Sequence, residues 1–290
     1  MIKVYGVKAN KVRSTELSSF EELNMLAKKF DWLWVDCLEP SPKEYELIAQ
    51  FLNAEPEVIE EIKKGKPILT YKRFGDCILL SISAVAIKEE LETYQIYIAI
   101  KGKVLLTLRS QDSASPVEKA ILKINDCILT AECPSELDGI GPSFTLCEVF
   151  YEVINGNLEA IMSFRENVEK IEEEAFEKPT EKAITRKVFT IKKQISAFHR
   201  LLWSEREMIT NLKDGLIPNI KLCNKSILSL EDAVSNISQE LAFIDSIDKA
   251  LDGVLRLQDL GMIHRVESII VKLTVAVVIM NIILIVLELW

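Results

Sequence analysis

A run of apolar residues near the C-terminal end constrains the fold of this chain more than any other feature. Between Ile269 and Leu287, only Lys272, Thr274 and Asn281 are polar or charged. A helix needs about 20 predominantly apolar residues to cross the hydrocarbon core of a bilayer. The run therefore predicts a transmembrane helix over residues 269–290, and its length disfavours the alternative of a buried helix in a soluble domain.

The charges beside the run predict its orientation. His264, Arg265 and Lys272 flank or enter its N-terminal end, and no basic residue follows. Because Lys and Arg are enriched in cytoplasmic segments next to membrane helices, this asymmetry places the N-terminus and the bulk of the chain in the cytoplasm. We therefore expect a protein of the plasma or inner membrane that contacts lipid through its C-terminal helix.

Four polar residues of this segment are spaced by seven: Glu267, Thr274, Asn281 and Glu288. This spacing puts them on one stripe of a helix, with a drift of about 20° per step. Polar groups at membrane depth are costly, so they face a bundle interior or a water-filled path. Two interpretations stay open: the stripe lines a pore, or Asn281 hydrogen bonds to neighbouring copies and holds them together. Both predict a homo-oligomer whose stripes converge on an axis.

The pore interpretation assigns a role to each ring of residues. Carboxylate rings at both ends would concentrate cations, and apolar rings between them would gate by dewetting. The oxygens of Thr274 and Asn281 could accept hydrogen bonds from the waters of a hydrated cation. The predicted pore-lining residues are Glu267, Ile270, Thr274, Val277, Asn281, Leu284 and Glu288.

The same helix is predicted to extend far towards the N-terminus. No proline occurs between Asn219 and Trp290, and steps of seven back from Glu267 reach Asp232. An apolar series with alternating spacings of three and four, typical of a coiled-coil seam, accompanies this stripe. The series comprises Ile227, Leu230, Val234, Ile237, Leu241, Ile244, Leu251 and Leu255. Residues 219–268 are therefore predicted to form a stalk on the membrane helix.

Residues 1–142 are predicted to form a cytoplasmic α/β domain. Segments rich in β-branched and aromatic residues predict strands, and segments that open with serine or an early proline predict helices. The strand segments are IKVYGV, WLWVDC, CILLSISAVAI, TYQIYIAI and KVLLTL. The helical segments are SFEELNMLAKKF, SPKEYELIAQFL and EPEVIEEIKKG. Lys101 and Gly102 predict a tight hairpin between the last two strands.

Residues 143–218 are predicted to form two long antiparallel helices. Apolar residues recur at helical spacing on both sides of Pro179, which predicts the break between the two helices near FEKPT. The charge-rich segments EKIEEEAFEK and TRKVFTIKK are most simply solvated helix faces. A cation-binding role for the acidic run is the alternative.

Composition excludes several functions. The net charge of −9 argues against a nucleic-acid partner, which would need a basic surface. The six cysteines form no CxxC pair and the two histidines are far apart, so the spacing of a zinc site is absent. The chain has no Gly-rich phosphate loop, HExxH motif or nucleophile elbow. We therefore do not expect an enzyme.

The order of several motifs resembles the CorA family of magnesium transporters. WLWVDC followed by EPEVIEEI resembles the amino-terminal W-x-D strand of that family and the helix after it. The segment FHRLLWSERE resembles its W-P-x-R-E turn, with Trp203, Arg206 and Glu207 in place and Ser204 where proline is usual. HRVESIIVKLT resembles the entry into the first transmembrane helix. The resemblance covers nearly the whole chain.

The resemblance implies a funnel-shaped homopentamer with a cytoplasmic α/β domain, a stalk and a pore lined by the C-terminal helix. It implies passive transport of Mg²⁺, with Co²⁺, Ni²⁺ or Zn²⁺ as alternative cargo, gated by cytoplasmic metal binding. Asp232 matches an aspartate of the family's inter-subunit Mg²⁺-sensing site. The partner aspartate falls near Lys88, so Glu89 and Glu90 are the predicted substitutes.

Departures from the family pattern leave other functions open. Glu267, Leu284 and Glu288 stand where the family has asparagine, often threonine, and glycine. Trp290 falls one residue before the expected Gly-Met-Asn motif, so we expect a truncated or degenerate copy without a second transmembrane helix. The alternatives are a zinc transporter like ZntB and a tail-anchored oligomer that does not conduct.

Overall fold

In the computed structural model, residues 2–8, 11–17, 19–88, 90–130, 140–178 and 180–288 are described. Within these ranges, seven strands form one sheet in the order β2-β1-β3-β7-β6-β5-β4. The strands are β1 (Ile2–Lys8), β2 (Lys11–Glu16), β3 (Trp32–Leu38), β4 (Lys72–Phe74), β5 (Cys77–Ile87), β6 (Leu91–Lys101) and β7 (Val104–Arg109). β3 and β7 pair in parallel, and every other pair is antiparallel.

Five of these strands coincide with the predicted segments, and β2 and β4 do not. The side chains of β2 are mostly exposed, and its sequence KVRSTE lacks an apolar face. It is a strand because its backbone pairs with the edge of β1. The predicted hairpin after β6 is present, with the turn at Gly102 and Lys103. Gly102 adopts a left-handed conformation with φ of 56°, which glycine adopts without strain.

Two helices, α1 (Phe20–Lys29) and α2 (Pro42–Leu52), begin at a serine that caps them. Ser41 and Glu44 form a reciprocal capping box at the start of α2, and Ser19 accepts a hydrogen bond from the backbone N–H of Glu22 at the start of α1. The helix over residues 114–130 was not predicted from the sequence. The helices are α1 (Phe20–Lys29), α2 (Pro42–Leu52), α3 (Pro56–Lys63), α4 (Ala114–Thr130), α5 (Pro142–Glu177), α6 (Lys182–Lys213) and α7 (Asn224–Glu288). Pro179, the predicted break, lies outside the described residues.

The chain divides into two compact units. The first comprises Met1–Ile161 with Phe198–Ala242, and the second comprises Met162–Ala197 with Phe243–Trp290. The first unit contains the sheet, whose strand β3 is buried on both faces. On one face, Leu33, Val35 and Cys37 belong to the main apolar core together with side chains of α1, α2 and α3. On the other face lie Trp34 and Asp36, because side chains alternate along a strand.

Asp36 is the centre of a buried polar network on this second face. Its Oδ1 accepts hydrogen bonds from Arg109 Nε at 3.0 Å and from the Thr107 hydroxyl at 2.8 Å. Its Oδ2 accepts from Arg109 Nη2 at 2.9 Å. Trp34 Nε1 donates to the Thr107 hydroxyl at 3.0 Å. The Trp34-x-Asp36 pattern of the sequence therefore has a structural role, which is to join β3 to its parallel neighbour β7.

The second unit consists of helical segments joined by polar contacts. Lys187 of α6 pairs with Glu174 of α5 at 2.6 Å, as expected for antiparallel helices. Lys192 of α6 pairs with Asp248 and Asp252 of α7 at 2.6 and 2.9 Å. These contacts place Lys187 and Lys192 of α6 in ion pairs with acidic residues of the neighbouring helices.

Candidate functional site

One face of α7 is buried against other helices of the same chain. In the first unit, the carboxylate of Glu148 on α5 accepts a hydrogen bond from the Ser229 hydroxyl. In the second unit, Thr185 of α6 donates to Gln258 at 2.6 Å. The buried apolar residues of α7 are Leu230, Ala233, Ile237, Leu241, Ile244, Ile247, Leu251 and Val254. The predicted apolar seam thus lies largely on this face and packs within one protomer.

The heptad stripe of α7 lies on exposed positions. In the first unit, Asp232 and Gln239 are exposed, and in the second unit Ser246, Gly253 and Leu260 are exposed. The chain's own helices therefore leave this stripe uncovered. A second copy of the chain could contact α7 here without displacing the packing inside the protomer.

The C-terminal part of α7 is exposed along its length in the part of the chain that the structure describes. Every side chain from Met262 to Leu287 is exposed, and the most apolar window of the helix has a mean hydropathy of 2.8. Of the helices that the structure describes, only α7 is long and apolar enough to cross a membrane. An apolar surface of this extent needs lipid or protein around it.

The predicted pore-lining residues lie on this uncovered segment. The imidazole Nδ1 of His264 lies 3.2 Å from a carboxylate oxygen of Glu267. The Thr274 hydroxyl donates to the backbone carbonyl of Ile270 at 2.9 Å, and Asn281 is exposed. The other members, Val277 and Leu284, are also exposed, while the side chain of Glu288 lies outside the described part.

Two of the three predicted sensing residues, Asp232 and Glu90, lie in the described part of the chain. Asp232 and Glu90 are exposed, and Glu89 lies outside the described residues. Across the described ranges, no group of three or more His, Cys, Asp or Glu side chains could hold a metal ion.

Lys88, which occupies the position expected for the partner aspartate, already has acidic neighbours in its own chain. Its Nζ lies 3.2 Å from Glu92 and 3.4 Å from Asp112. Hydrogen bonds to Tyr94 and Glu92 raise the pKa of Lys88. The lysine is thus held as a cation by its own protomer.

Two buried acids are functional candidates that the sequence reasoning missed. Glu205 Oε1 accepts a hydrogen bond from the backbone N–H of Ser83 at 3.0 Å. Asn157 Nδ2 donates to Glu240 Oε2 at 3.2 Å. Burial raises the pKa of Glu240 to about 7 and that of Glu205 well above its ordinary value. Glu205 follows Leu202 by three residues on a buried helix face. The sequence could have indicated its burial, because the acid stands where the helical spacing of apolar residues calls for an apolar side chain.

The other residues of the WSERE segment, residues 203–207, lie nearer the surface than Glu205 does. Trp203 is half exposed, and the guanidinium of Arg206 lies over its ring at 5.2 Å from the centroid. His199 packs beside the same ring, and Glu207 is exposed. The motif residues therefore line the outer side of α6, while Glu205 between them points inward.

Family comparison accounts for this combination of sheet and long helix. The model of the CorA-like Mg²⁺ transporter protein family matches residues 30–282. The chain belongs to this family. The cobalt/magnesium transport protein CorA of Methanocaldococcus jannaschii is 20% identical over 258 residues, which are 88% of this chain and 77% of that protein. The family is one of transporters and not of enzymes.

Two solved structures share the fold of this chain. The complete structure of the CorA magnesium transporter from Methanocaldococcus jannaschii matches with a TM-score of 0.73 at 17% identity, covering 94% of this chain and 81% of that one. The cytoplasmic domain of ZntB from Vibrio parahaemolyticus matches with a TM-score of 0.61 at 10% identity, covering 91% of this chain and 98% of that one. The predicted fold class, an α/β domain followed by a long helix with an apolar end, is confirmed.

Proposed function

We propose that this protein is a homopentameric divalent-cation channel that carries Mg²⁺ passively across a cell membrane, with its N-terminal bulk in the cytoplasm. The observation that carries the proposal is the heptad of polar residues on an otherwise apolar helix in a chain of this family. Membership supports a transported divalent cation, and the exposed stripe on α7 supports assembly around an axis.

The uncovered stripe is the argument for an oligomer. The apolar seam of α7 packs against helices of its own chain, so it is not available to join copies. A single membrane helix would expose Asn281 to lipid, where an unpartnered amide is costly. Several copies arranged with their stripes inward remove that cost, and the resemblance to the family makes five the expected number.

The chemistry of the stripe suits a hydrated cation. In a pentamer Glu267 would form a carboxylate ring at the cytoplasmic end, which attracts cations. Thr274 uses its hydroxyl hydrogen within the helix, so its oxygen lone pairs remain available to the waters of an ion. Asn281 offers a side-chain oxygen one heptad further on. Mg²⁺ keeps several waters, so these groups would contact its hydration shell.

The first test replaces Asn281 by leucine and measures ion entry into liposomes. We expect the protein to admit Mg²⁺, and Asn281→Leu to reduce the rate by roughly 10- to 100-fold, because a hydrogen bond to a charged group contributes about 1.5–3 kcal/mol. Entry of Mg²⁺, Co²⁺, Ni²⁺ and Zn²⁺ into vesicles that contain a divalent-cation dye gives the rates. Faster entry of Zn²⁺ than of Mg²⁺ would instead favour a ZntB-like transporter.

Ile279→Leu is the matched control, since Ile279 lies on the same apolar segment but five residues after Thr274, on the side of the helix away from the stripe. Native mass spectrometry in detergent should count five copies for the parent and for both variants. A stable monomer contradicts the proposal. Asn281→Leu could instead break up most pentamers while the flux per remaining pentamer stays that of the parent. In that case Asn281 holds the helices together and does not line the ion path.

We also propose that cytoplasmic Mg²⁺ gates the channel through Asp232 and the Glu89–Glu90 segment of an adjacent copy. Asp232 and Glu90 are exposed, which is required of groups that meet across an interface. The ion would bind through its own waters and hold neighbouring stalks together. Loss of the ion would free the stalks and open the pore.

The second test removes the sensing carboxylate. Mg²⁺ should protect the parent from limited proteolysis, and Asp232→Ala should raise the Mg²⁺ concentration needed for protection roughly fivefold or more, because couplings between sites are typically 1–3 kcal/mol. Glu231→Ala, a neighbouring exposed acid on α7, is the control and should behave as the parent. Unchanged protection in Asp232→Ala would show that this aspartate is only a solvated stalk residue.

A further inference from the structure

The first unit contains a cavity that the transport proposal does not use. Its volume is about 280 Å³, and it lies between β5 and β6 of the sheet and helix α6. Ile68, Ile82 and Met208 contribute apolar walls, while Glu205 and Gln95 contribute polar groups. A water molecule occupies about 30 Å³, so the cavity has room for a small organic molecule.

Two buried polar atoms of this lining have no hydrogen-bond partner among the described residues: Glu205 Oε2 and Gln95 Oε1. The other polar atom of each side chain already makes a hydrogen bond to Ser83. Ser83 donates its backbone N–H to Glu205 Oε1 at 3.0 Å, and its hydroxyl accepts from Gln95 Nε2 at 2.7 Å. The two orphan atoms therefore belong to side chains that both hydrogen bond to Ser83 and both line this cavity.

The two orphan atoms differ in hydrogen-bonding character. Burial raises the pKa of Glu205 well above its ordinary value, and the nearby carboxylate of Glu240 raises it further. Because Oε1 already accepts from Ser83, the acid form carries its proton on Oε2 and donates from there. Gln95 Oε1 can only accept. Arg200, an exposed residue of α6, is the basic side chain that lines the same cavity.

We propose that this cavity binds a small, neutral, planar molecule with an amide edge, a C=O beside an N–H. The carbonyl would accept from Glu205 Oε2, the N–H would donate to Gln95 Oε1, and the apolar walls would contact the faces of the ring. A nucleobase and a free aromatic carboxamide share this chemistry. A carboxylate of the same shape presents two acceptors, which leaves Gln95 Oε1 facing a negative oxygen.

The test compares two probes that differ only at this edge. The full chain in detergent is titrated with nicotinamide and with nicotinate, and binding is followed by saturation-transfer NMR. We expect nicotinamide to bind at least about tenfold more tightly, because nicotinate cannot donate to Gln95. Uracil, which carries the same edge, tests the nucleobase source, and 1,3-dimethyluracil is its control because the two methyl groups remove both N–H groups.

Two variants separate recognition from folding. Gln95→Met should lose at least about tenfold in nicotinamide affinity, and Gln50→Met, at an exposed glutamine of α2, should bind as the parent. Glu205→Gln should retain binding, since its amide NH₂ replaces the acid donor. The parent should lose nicotinamide binding as rising pH ionises Glu205, whereas Glu205→Gln should not.

Three results would overturn the proposal. They are absence of binding by both edge-bearing probes, equal affinity of the parent for nicotinamide and nicotinate, and unchanged affinity in a folded Gln95→Met variant. Each is measured without ion flux, so failure here leaves the transport proposal standing, and failure of transport leaves this site standing.

Discussion

Asp36→Asn is expected to destabilise the first unit by about 3–5 kcal/mol, the range for breaking a buried ion pair by removing one partner. Asp36 and Arg109 are 3% and 5% exposed. The arginine left behind would be a buried charge whose remaining acidic neighbour is the exposed carboxylate of Glu118 at 3.7 Å. The asparagine would also place an NH₂ group against donors, since Asp36 accepts from both Arg109 and Thr107.

This loss should appear as a lower urea midpoint of the full chain in detergent, followed by tryptophan fluorescence. Trp34 reports directly, because its Nε1 donates to Thr107 in the same network. Asp76→Asn is the matched control: Asp76 is exposed and lies 3.8 Å from Lys101, so its removal should cost less than about 1 kcal/mol. Equal midpoints for Asp36→Asn and Asp76→Asn would contradict the structural role assigned to the network.

Stability of the first unit is expected to fall by roughly 3 kcal/mol as pH rises, because of Glu240. Burial raises the pKa of Glu240 from 4.5 to about 7, so between these values the folded state binds more protons than the unfolded state. The contribution of Glu240 is therefore fully present below about pH 4.5 and is lost as pH rises through 7. Glu205, whose pKa is raised by burial, adds an effect of the same sign.

Glu240→Gln should remove the part of this pH dependence that Glu240 contributes and leave the part from Glu205, because glutamine stays neutral and still accepts from Asn157. Urea midpoints measured at a series of pH values across this range give the comparison. Glu231→Gln, at an exposed position of the same helix, should leave the pH dependence unchanged. A Glu240→Gln profile as steep as that of the parent would show that another group is responsible.

Local sequence patterns determined most of the helices and strands of this protein. The apolar run after Ser268 determined a helix able to span a membrane, and the absence of proline after Pro218 allowed it to continue as α7. Five strands could be predicted from runs of β-branched and aromatic residues. Those residues favour strands, and their apolar side chains are the ones that the fold buries. The heptad of Glu267, Thr274 and Asn281 was readable because helical period alone puts those residues on one face.

Other features depended on contacts between residues far apart in the chain. β2 has no apolar face and exists because β1 offers a free edge. The W-x-D pattern marked Asp36 as special, but only the pairing of β3 with β7 brought Arg109 to it. Glu205 and Glu240 look like surface acids by residue type, and the packing of α5, α6 and α7 within the first unit buried them. Their pKa values and the cavity at Glu205 follow from desolvation, which depends on what surrounds a residue in space and not on its neighbours in sequence.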